Sequence, residues 1–270
     1  MTDINHYADG LALSEILRAP ALRLAIQALH LPPGSRGLDA GCGIGLHTGL
    51  LAEVVGPQGH VTGLDLSPEF LVLAREHTNT FISPKQISFK EGNLNNLPFD
   101  DNTFDWVWSV DALYPGALDP LTVLNEFVRV VKPGGSIAIL FWSAQKLLPG
   151  YPLLEARLDA AFAETSSYTR GIRPSLHFLC ALGWLRQVGL EEVTARTFVA
   201  DVHAPLSADV RRALIMTFQM FWGEVQAHVA PGDWAEFERL CRSESPDCIL
   251  DRRDYYAFLT YSLFRGTVPQ

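Results

Sequence analysis

The chain alternates short apolar runs with segments whose apolar residues recur at helical spacing. The run over residues 104–109 is almost unbroken, which is typical of a strand that is buried on both faces of a sheet. Strands that alternate with helices in this way predict an α/β fold with a doubly wound, mostly parallel sheet. The predicted strands cover residues 36–40, 60–65, 87–91, 104–109, 136–142, 192–203 and 255–266.

Turn and capping residues set the limits of the predicted helices. Pro20 interrupts an apolar stripe over residues 10–29, so we expect two helices or one bent helix there. Ser67 followed by Pro68 indicates a helix start, and the Lys-Pro-Gly-Gly run at residues 132–135 is expected to end a helix and reverse the chain. Further helices are predicted over residues 46–55, 68–79, 119–131, 151–167, 175–188, 207–229 and 233–243. The last two would form a helical insertion between the final two strands.

Size, charge and cysteine usage narrow the class of protein. The 270 residues, 48% of them hydrophobic, allow one large domain with a sizeable core. No apolar run is long enough to predict a membrane span, and the first residues lack the features of a secretory signal. A formal charge of −9 disfavours a large nucleic-acid footprint. The four cysteines show no C-x-x-C pairing, which predicts free thiols, no zinc site and a reducing compartment, the cytoplasm.

Residues 37–45, Gly-Leu-Asp-Ala-Gly-Cys-Gly-Ile-Gly, form the most informative segment. Glycine has no Cβ and tolerates positive φ, so the alternating Gly41, Gly43 and Gly45 let the backbone of a turn approach a ligand closely. The helix that begins near residue 46 offers unpaired N–H groups at its N-terminus. We therefore expect a nucleotide-like ligand at the carboxyl end of the first strand.

Four motifs in sequence order resemble the ubiquinone/menaquinone-biosynthesis type of class I S-adenosylmethionine (SAM)-dependent methyltransferases. The first is D-x-G-x-G-x-G at residues 39–45, and an acid, Asp65, ends the second predicted strand. Residues 91–105 (EGNLNNLPFDDNTFD) and 124–140 (LNEFVRVVKPGGSIAIL) complete the match. The resemblance covers about residues 35–142 and implies a Rossmann-like methyltransferase fold with a seven-stranded sheet.

The resemblance also implies how SAM would be held. Asp65 would accept hydrogen bonds from both ribose hydroxyls. Asn93 and Leu94 would read the adenine edge, although Asn93 replaces the usual Asp. Its amide oxygen can still accept a hydrogen bond from the adenine amino group, so binding should be weakened rather than lost. The candidate cofactor-binding residues are Tyr7, Asp39, Gly41, Cys42, Gly43, Gly45, His47, Asp65, Leu66, Asn93, Leu94, Ser109 and Val110.

Some of these candidates have a second interpretation. Tyr7 lies in a polar N-terminal segment, which would either fold over SAM or remain a surface tail. His47 and Thr48 would either reach the methionine carboxylate or simply occupy the first turn of a helix. Both interpretations stay open at the level of sequence.

Tyr114 and His177 are the candidate catalytic residues. Tyr114 follows the fourth predicted strand, where its ring could attract the sulfonium and its hydroxyl could orient an acceptor, with simple packing as the alternative. His177 is a candidate base. Asp111 is either a base or a helix cap, and the cap is the favoured interpretation.

The second half of the chain resembles no family and is expected to supply the acceptor site. Residues 1–35 would lie over the cofactor, 36–143 would bind it, and 144–270 would hold the remaining strands and an inserted helical substrate cap. Arg170 and Arg173 would bind a carboxylate or phosphate, or remain solvated loop residues. The other candidates, most of which are expected to pack, are Trp142, Tyr151, Tyr168, Met216, Met220, Phe221 and Trp222.

These expectations combine into SAM-dependent methyl transfer to a small-molecule acceptor. An activated methyl group requires alignment in a dry pocket rather than a metal or a covalent nucleophile, and no metal site is predicted. A non-catalytic SAM-binding module is the alternative. A dinucleotide-dependent oxidoreductase is disfavoured, because Leu46 stands where G-x-G-x-x-G requires its third glycine. The acceptor atom and the oligomeric state stay open.

Overall fold

The structure is a computed structural model. It describes the backbone of residues 2–79, 86–114, 118–167 and 169–270, and the side chains within these ranges from residue 8 onward.

The strands form one seven-stranded sheet with the order β3-β2-β1-β4-β5-β7-β6. They are β1 (Arg36–Ala40), β2 (His60–Asp65), β3 (Ile87–Glu91), β4 (Phe104–Val110), β5 (Val131–Lys146), β6 (Glu191–His203) and β7 (Tyr256–Thr267). The pairs β1–β2, β1–β4, β2–β3 and β4–β5 are parallel. The doubly wound, mostly parallel sheet predicted from the sequence is therefore confirmed. The strand order reverses between β1 and β4, and ligands of such sheets bind beyond the carboxyl ends of the strands at this point.

The helices fall close to the predicted positions. They are α1 (Thr2–Ala28), α2 (Leu46–Val55), α3 (Pro68–Thr78), α4 (Pro120–Val130), α5 (Pro152–Thr165), α6 (Ala181–Gln187), α7 (Ala208–Trp222) and α8 (Pro231–Cys241). Helix α1 is a single helix that contains Pro20. Helices α7 and α8 lie between β6 and β7 in the chain, as the predicted insertion requires. None of the helices in the described ranges is both long and apolar enough to cross a membrane.

Side-chain caps explain where α3 and α4 begin. Ser67 Oγ accepts a hydrogen bond from the Phe70 N–H at 3.1 Å, and Asp119 Oδ2 accepts one from the Thr122 N–H at 3.1 Å. A proline follows each capping residue, where its missing N–H leaves no bond unmade and its fixed φ suits the first helical turn.

Three predicted boundaries are wrong. The run at residues 132–135 does not separate helix from strand, because β5 already begins at Val131; Gly134 N–H donates to Val268 O at 2.9 Å and Gly135 O accepts from the Val268 N–H at 2.8 Å. The helix predicted over 175–188 is helical only as two short 3-10 turns and α6, because His177 has an extended backbone. Likewise, α7 ends at Trp222 rather than near residue 229.

The chain divides into two compact units, each built from three segments. The first unit contains residues 1–21, 143–172 and 199–261, and its core includes the stacked pair Phe218 and Trp222. The second contains residues 22–142, 173–198 and 262–270, and apolar residues of β1, β4 and β5 pack in it with α4 and α6. The division at residues 35 and 143 that the sequence suggests stays a prediction.

Candidate active site

The turn between β1 and α2 is built from glycines in the left-handed region. Gly41, Gly43 and Gly45 have φ values of 77°, 53° and 78°. A Cβ at Gly41 would lie 2.6 Å from the Cβ of Ala112, and one at Gly45 would lie 2.9 Å from the Cβ of Ala74. Side chains at these positions would therefore meet both backbone strain and a collision. Gly41 and Gly43 are half-buried and Gly45 is buried, and the turn lies where the strand order reverses.

Asp65, at the end of β2, faces this turn. Its Oδ2 accepts a hydrogen bond from the Gly43 N–H at 2.8 Å, and its Oδ1 accepts one from the Ser67 N–H at 3.0 Å. A carboxylate offers about four lone-pair sites, so two remain for ligand hydroxyls. The next residue, Leu66, is an apolar side chain that is 66% exposed, which suits contact with a flat ligand ring.

A buried acid lies beneath the turn. Asp39 is 2% exposed, and its Oδ2 accepts a hydrogen bond from Thr48 Oγ1 at 2.6 Å. Burial raises the pKa of the Asp39 carboxyl to about 6, against the opposing effects of His47 and Thr48. Burial and the neighbouring Asp39 also raise the pKa of the Cys42 thiol, so this cysteine is not a reactive thiolate.

His47 and Thr48 both occupy the first turn of α2 and are buried. The His47 ring stands edge-on to Trp108, with 6.5 Å between ring centroids. The Nε1 atom of Trp108 is buried without a hydrogen-bond partner among the described residues. Thr48 supports Asp39 from inside the fold, so its role here is to hold the acid beneath the turn.

Asn93 and Leu94 lie directly beyond β3. Asn93 is exposed, and its Oδ1 accepts a hydrogen bond from the Asn95 N–H at 2.9 Å. Leu94 is buried, and its Cδ1 would lie 3.9 Å from a Cβ placed on Gly41. The segment predicted to read a base edge is thus next to the glycine turn.

The end of β4 is tied to both of its neighbouring strands. Ser109 Oγ donates to Ala40 O at 2.7 Å, so the Ser109 hydroxyl secures β1. Asp111 has a φ of 50°, which is uncommon for a residue other than glycine. Its Oδ1 accepts hydrogen bonds from the Trp142 N–H and from the Tyr114 hydroxyl, both at 2.9 Å. Val110, between them, is half-buried.

The expectation that Asp111 caps a helix is wrong. The next described helix, α4, begins nine residues later and is capped by Asp119. Asp111 instead uses its carboxylate to join the Tyr114 hydroxyl to the backbone of β5. A residue other than glycine with a positive φ stores backbone strain, and such residues cluster at functional sites.

The two candidate catalytic side chains both contact Phe178. The Tyr114 ring lies 6.0 Å from the Phe178 ring in an edge-to-face arrangement, and His177 stacks on Phe178 at 4.4 Å. Tyr114 also packs edge-on against Phe141 at 5.5 Å. His177 Nδ1 accepts from the Leu179 N–H at 3.3 Å, so the neutral ring carries its proton on Nε2. That arrangement favours His177 as a donor over a base, and its catalytic role stays a prediction.

The candidates for the acceptor site divide into packed and exposed residues. Trp222 is buried and donates through Nε1 to Asp159 Oδ1 at 3.0 Å, as expected of a core residue. Arg170 and Arg173 are exposed loop residues. Trp142 is half-buried. Those that pack in part, or lie on the surface, are Tyr151, Met216, Met220 and Phe221.

The side chain of Tyr7 and all of Tyr168 lie outside the described residues. Within the described ranges, no group of three or more His, Cys, Asp or Glu residues could hold a metal ion. The four cysteines are free thiols, and Cys180 is the exposed one.

Sequence reasoning missed Glu126 and Arg129. The sequence places both on the helix predicted over residues 119–131, and on α4 they bind the loop that follows Asn93 and Leu94. These contacts join residues about 30 positions apart, so only their spacing of three residues, which places them on one helix face, could have drawn attention to them.

Comparisons with known proteins agree with this geometry. A methyltransferase-domain family model matches residues 38–139. Demethylmenaquinone methyltransferase of Bacillus licheniformis is 33% identical over 193 residues, which are 66% of this chain and 80% of that protein.

Two solved structures share the fold. The chain solved in complex with the Trm112 methyltransferase activator of Haloferax volcanii has a TM-score of 0.61 and 21% identity, over 99% of this chain and 98% of that chain. Phosphoethanolamine N-methyltransferase 2 of Haemonchus contortus, solved with S-adenosyl-L-methionine, has a TM-score of 0.57 and 17% identity, over 97% and 57% of the two chains.

Proposed function

Because this chain belongs to the class I SAM-dependent methyltransferases of the ubiquinone/menaquinone-biosynthesis type, we propose that it methylates a small, largely apolar acceptor held beside Asp111 and Tyr114. The protein is an enzyme and SAM is its cofactor. The non-catalytic alternative is not favoured. The acceptor, its position and the role of each side chain are the parts that are proposed.

The geometry of the glycine turn supports the assignment of cofactor contacts. Gly41 and Gly45 have no room for a side chain, and the remaining lone pairs of Asp65 can accept two ribose hydroxyl protons. Leu66 would pack on the adenine ring, while Asn93 and Leu94 would read its edge. The remaining assigned residues with described side chains would line the pocket or support it from below: Asp39, Cys42, Gly43, His47, Ser109 and Val110.

When bound, SAM supplies a methyl group already activated on a sulfonium; S-adenosylhomocysteine is the leaving group, and the proton that the acceptor loses passes to solvent. The chain itself has to orient the acceptor and exclude water. The Tyr114 hydroxyl donates a hydrogen bond to Asp111 Oδ1, and its proposed role is to orient the acceptor. Asp111 would keep that hydroxyl in place through its second bond, to the Trp142 N–H.

The aromatic cluster around Tyr114 carries the proposal of a largely apolar acceptor. Tyr114, Phe141 and Phe178 form edge-to-face or tilted contacts, and His177 extends the cluster. Such surfaces favour flat, apolar rings. The relative from Bacillus licheniformis is named for demethylmenaquinone, which is a small molecule, and we propose an acceptor of that chemical class. The net charge of −9 supports a small molecule over a nucleic acid, and the four free thiols support a cytoplasmic location.

Two measurements test this proposal. Isothermal titration should show binding of SAM, with S-adenosylhomocysteine competing for the same site. Incubation with methyl-labelled SAM should then transfer label to small apolar metabolites of a cell extract, but not to its protein or nucleic-acid fractions. Binding without any transfer would support the non-catalytic module, and label in the macromolecular fractions would overturn the proposed acceptor class.

A further inference from the structure

Glu126 and Arg129 of α4 hold both backbone groups of Leu97. Glu126 Oε2 accepts a hydrogen bond from the Leu97 N–H at 2.7 Å, and Arg129 Nη2 donates to Leu97 O at 3.0 Å. The two side chains also bind each other, with Arg129 Nε donating to Glu126 Oε1 at 2.8 Å. Bidentate pairs of this kind fix geometry as well as supplying energy.

The same arginine continues along the loop after Leu97. Arg129 Nη1 donates to Phe99 O at 2.8 Å and to Asp101 Oδ1 at 2.9 Å, and Arg129 O accepts from the Asn102 N–H at 3.0 Å. Arg129 holds the pKa of the Glu126 carboxyl below its usual range, while the hydrogen bonds that Arg129 donates to Glu126 and Asp101 raise the pKa of Arg129. Glu126 and Arg129 together bind three backbone groups, the Leu97 N–H, Leu97 O and Phe99 O. These two residues therefore fix the shape of the loop.

Only three residues separate Leu97 from Asn93, and the intervening turn is closed on itself. The Asn96 N–H donates to Asn93 O at 3.1 Å, and the Asn95 N–H donates to Asn93 Oδ1 at 2.9 Å. On the other side, the Gly92 N–H donates to Asp65 O at 3.0 Å. The positions of Asn93 and Leu94 are thus set from two ends, by Asp65 before them and by Leu97 after them.

From this arrangement we infer that Glu126 and Arg129 are positioning residues for adenine recognition. They act through the closed turn and place Asn93 Oδ1 and the Leu94 N–H for the base edge, although neither charged side chain touches the ligand. The inference rests on the proposed roles of Asn93 and Leu94. It assigns a part in base selection to a helix whose sequence is otherwise explained by packing.

The chemistry of the base provides a test. Adenine offers an amino donor at C6 and an acceptor at N1, whereas hypoxanthine offers an acceptor at C6 and a donor at N1. Asn93 Oδ1 and the Leu94 N–H, when held in place, would pair with adenine. They would face an acceptor and a donor of the same kind in hypoxanthine, so a site with fixed partners binds hypoxanthine much more weakly. If the turn is misplaced, the preference for adenine falls while contacts to the ribose and the amino acid remain.

The experiment compares S-adenosylhomocysteine with S-inosylhomocysteine by isothermal titration. The wild-type protein should prefer the adenine compound by at least about tenfold. Glu126→Ala should weaken binding of the adenine compound about five- to tenfold and leave the inosine compound nearly unchanged, so that the preference is largely lost. Arg129→Ala should do the same, and Glu126→Gln, which keeps a neutral acceptor, should give a smaller loss.

Helix α8 offers a matched control. Glu236 and Arg239 have the same order and spacing and are joined by an ion pair of 2.7 Å, so Glu236→Ala should leave both affinities unchanged. Equal losses for the two compounds in Glu126→Ala, or an unchanged preference in a folded variant, would overturn the inference. If Glu126→Ala does not fold, an unchanged preference in Glu126→Gln and Arg129→Ala would overturn it. Failure of the wild-type protein to bind either compound would instead refute the proposed cofactor site.

Discussion

Two regions of the molecule obey different structural rules. The glycine-turn region (residues 36–142) contains residues with positive φ at Gly41, Gly43, Gly45 and Asp111, beside carboxylates bonded to backbone N–H groups. The inserted region (residues 204–255) has no residue with positive φ, and its helices α7 and α8 carry ion pairs on their surface. Strained backbone persists where the surrounding structure determines it, commonly around a ligand. The difference agrees with the proposal that the first region binds the cofactor, while the second is held together by packing and surface ion pairs.

The largest effect is expected when Asp65 of the glycine-turn region is compared with Asp159, which binds Trp222 of the inserted region. Asp65→Ala should weaken binding of S-adenosylhomocysteine about 100-fold or more, because two hydrogen bonds from ribose to a charged group are lost. Asp159→Ala, on α5 in the other compact unit, removes the partner of Trp222 Nε1 and should lower the free energy of unfolding by about 1–3 kcal/mol with no change in affinity. Titration and thermal melting distinguish the two. Equal affinity losses would remove the distinction between the regions.

Burial of the Asp39 carboxyl should lower the free energy of unfolding of the protein at neutral pH. The Asp39 pKa is raised from 3.8 to about 6, so the folded protein binds this proton more tightly than the unfolded chain. Stability therefore falls as pH rises from about 4 to 6, and the loss persists at higher pH, by at most about 3 kcal/mol. Asp39→Asn keeps an acceptor for Thr48 and should stabilise the protein at pH 8 but not at pH 4, in denaturant titrations at each pH. Stabilisation of similar size at both values would contradict the assigned cause.

Substitutions at two glycines distinguish the effect of backbone strain from the effect of close packing. Gly41→Ala adds a Cβ 2.6 Å from that of Ala112 at a φ of 77°, whereas Gly171→Ala has a similar φ of 70° and nothing within 4 Å. The second change should cost only the strain, about 1–2 kcal/mol. The first should cost more and also weaken cofactor binding about tenfold or more, because Ala112 or the turn must move. Melting and titration measure both quantities, and equal effects would show that the turn is not closely packed.

The smallest effect is expected at Tyr114. Tyr114→Phe keeps the ring contacts with Phe141 and Phe178 but removes the hydroxyl that bonds Asp111. Turnover with an acceptor found in the labelling experiment should fall about tenfold, while affinity for S-adenosylhomocysteine changes less than about twofold. A lower affinity for S-adenosylhomocysteine with unchanged turnover would contradict this role and would indicate that the Tyr114 hydroxyl contacts only the cofactor.

Much of the glycine-turn region could be predicted from the sequence. Strands β1, β2 and β3 and helix α2 have the predicted bounds, because apolar runs, glycines and caps are local signals. The contacts of Glu126 and Arg129 with Leu97 and the bond between Asp111 and Trp142 could not be predicted, since they join residues distant in sequence. In the rest of the chain, the extended backbone of His177 interrupts the helix predicted over residues 175–188, and no neighbouring residue in the sequence indicates this interruption. Local signals therefore predicted the strands and the turn of the glycine-turn region, whereas contacts between residues distant in sequence had to be read from the structure.

The central claim is that the glycine turn and Asp65 hold an adenosyl compound with its sulfur toward Asp111 and Tyr114. A crystal structure with S-adenosylhomocysteine bound tests it most directly. We predict both ribose hydroxyls within hydrogen-bond distance of the Asp65 carboxylate, the adenine beside Leu66 with its edge on Asn93 and Leu94, and open space between the sulfur and the Tyr114 hydroxyl. A ligand bound elsewhere, or one whose ribose does not contact Asp65, would contradict the account.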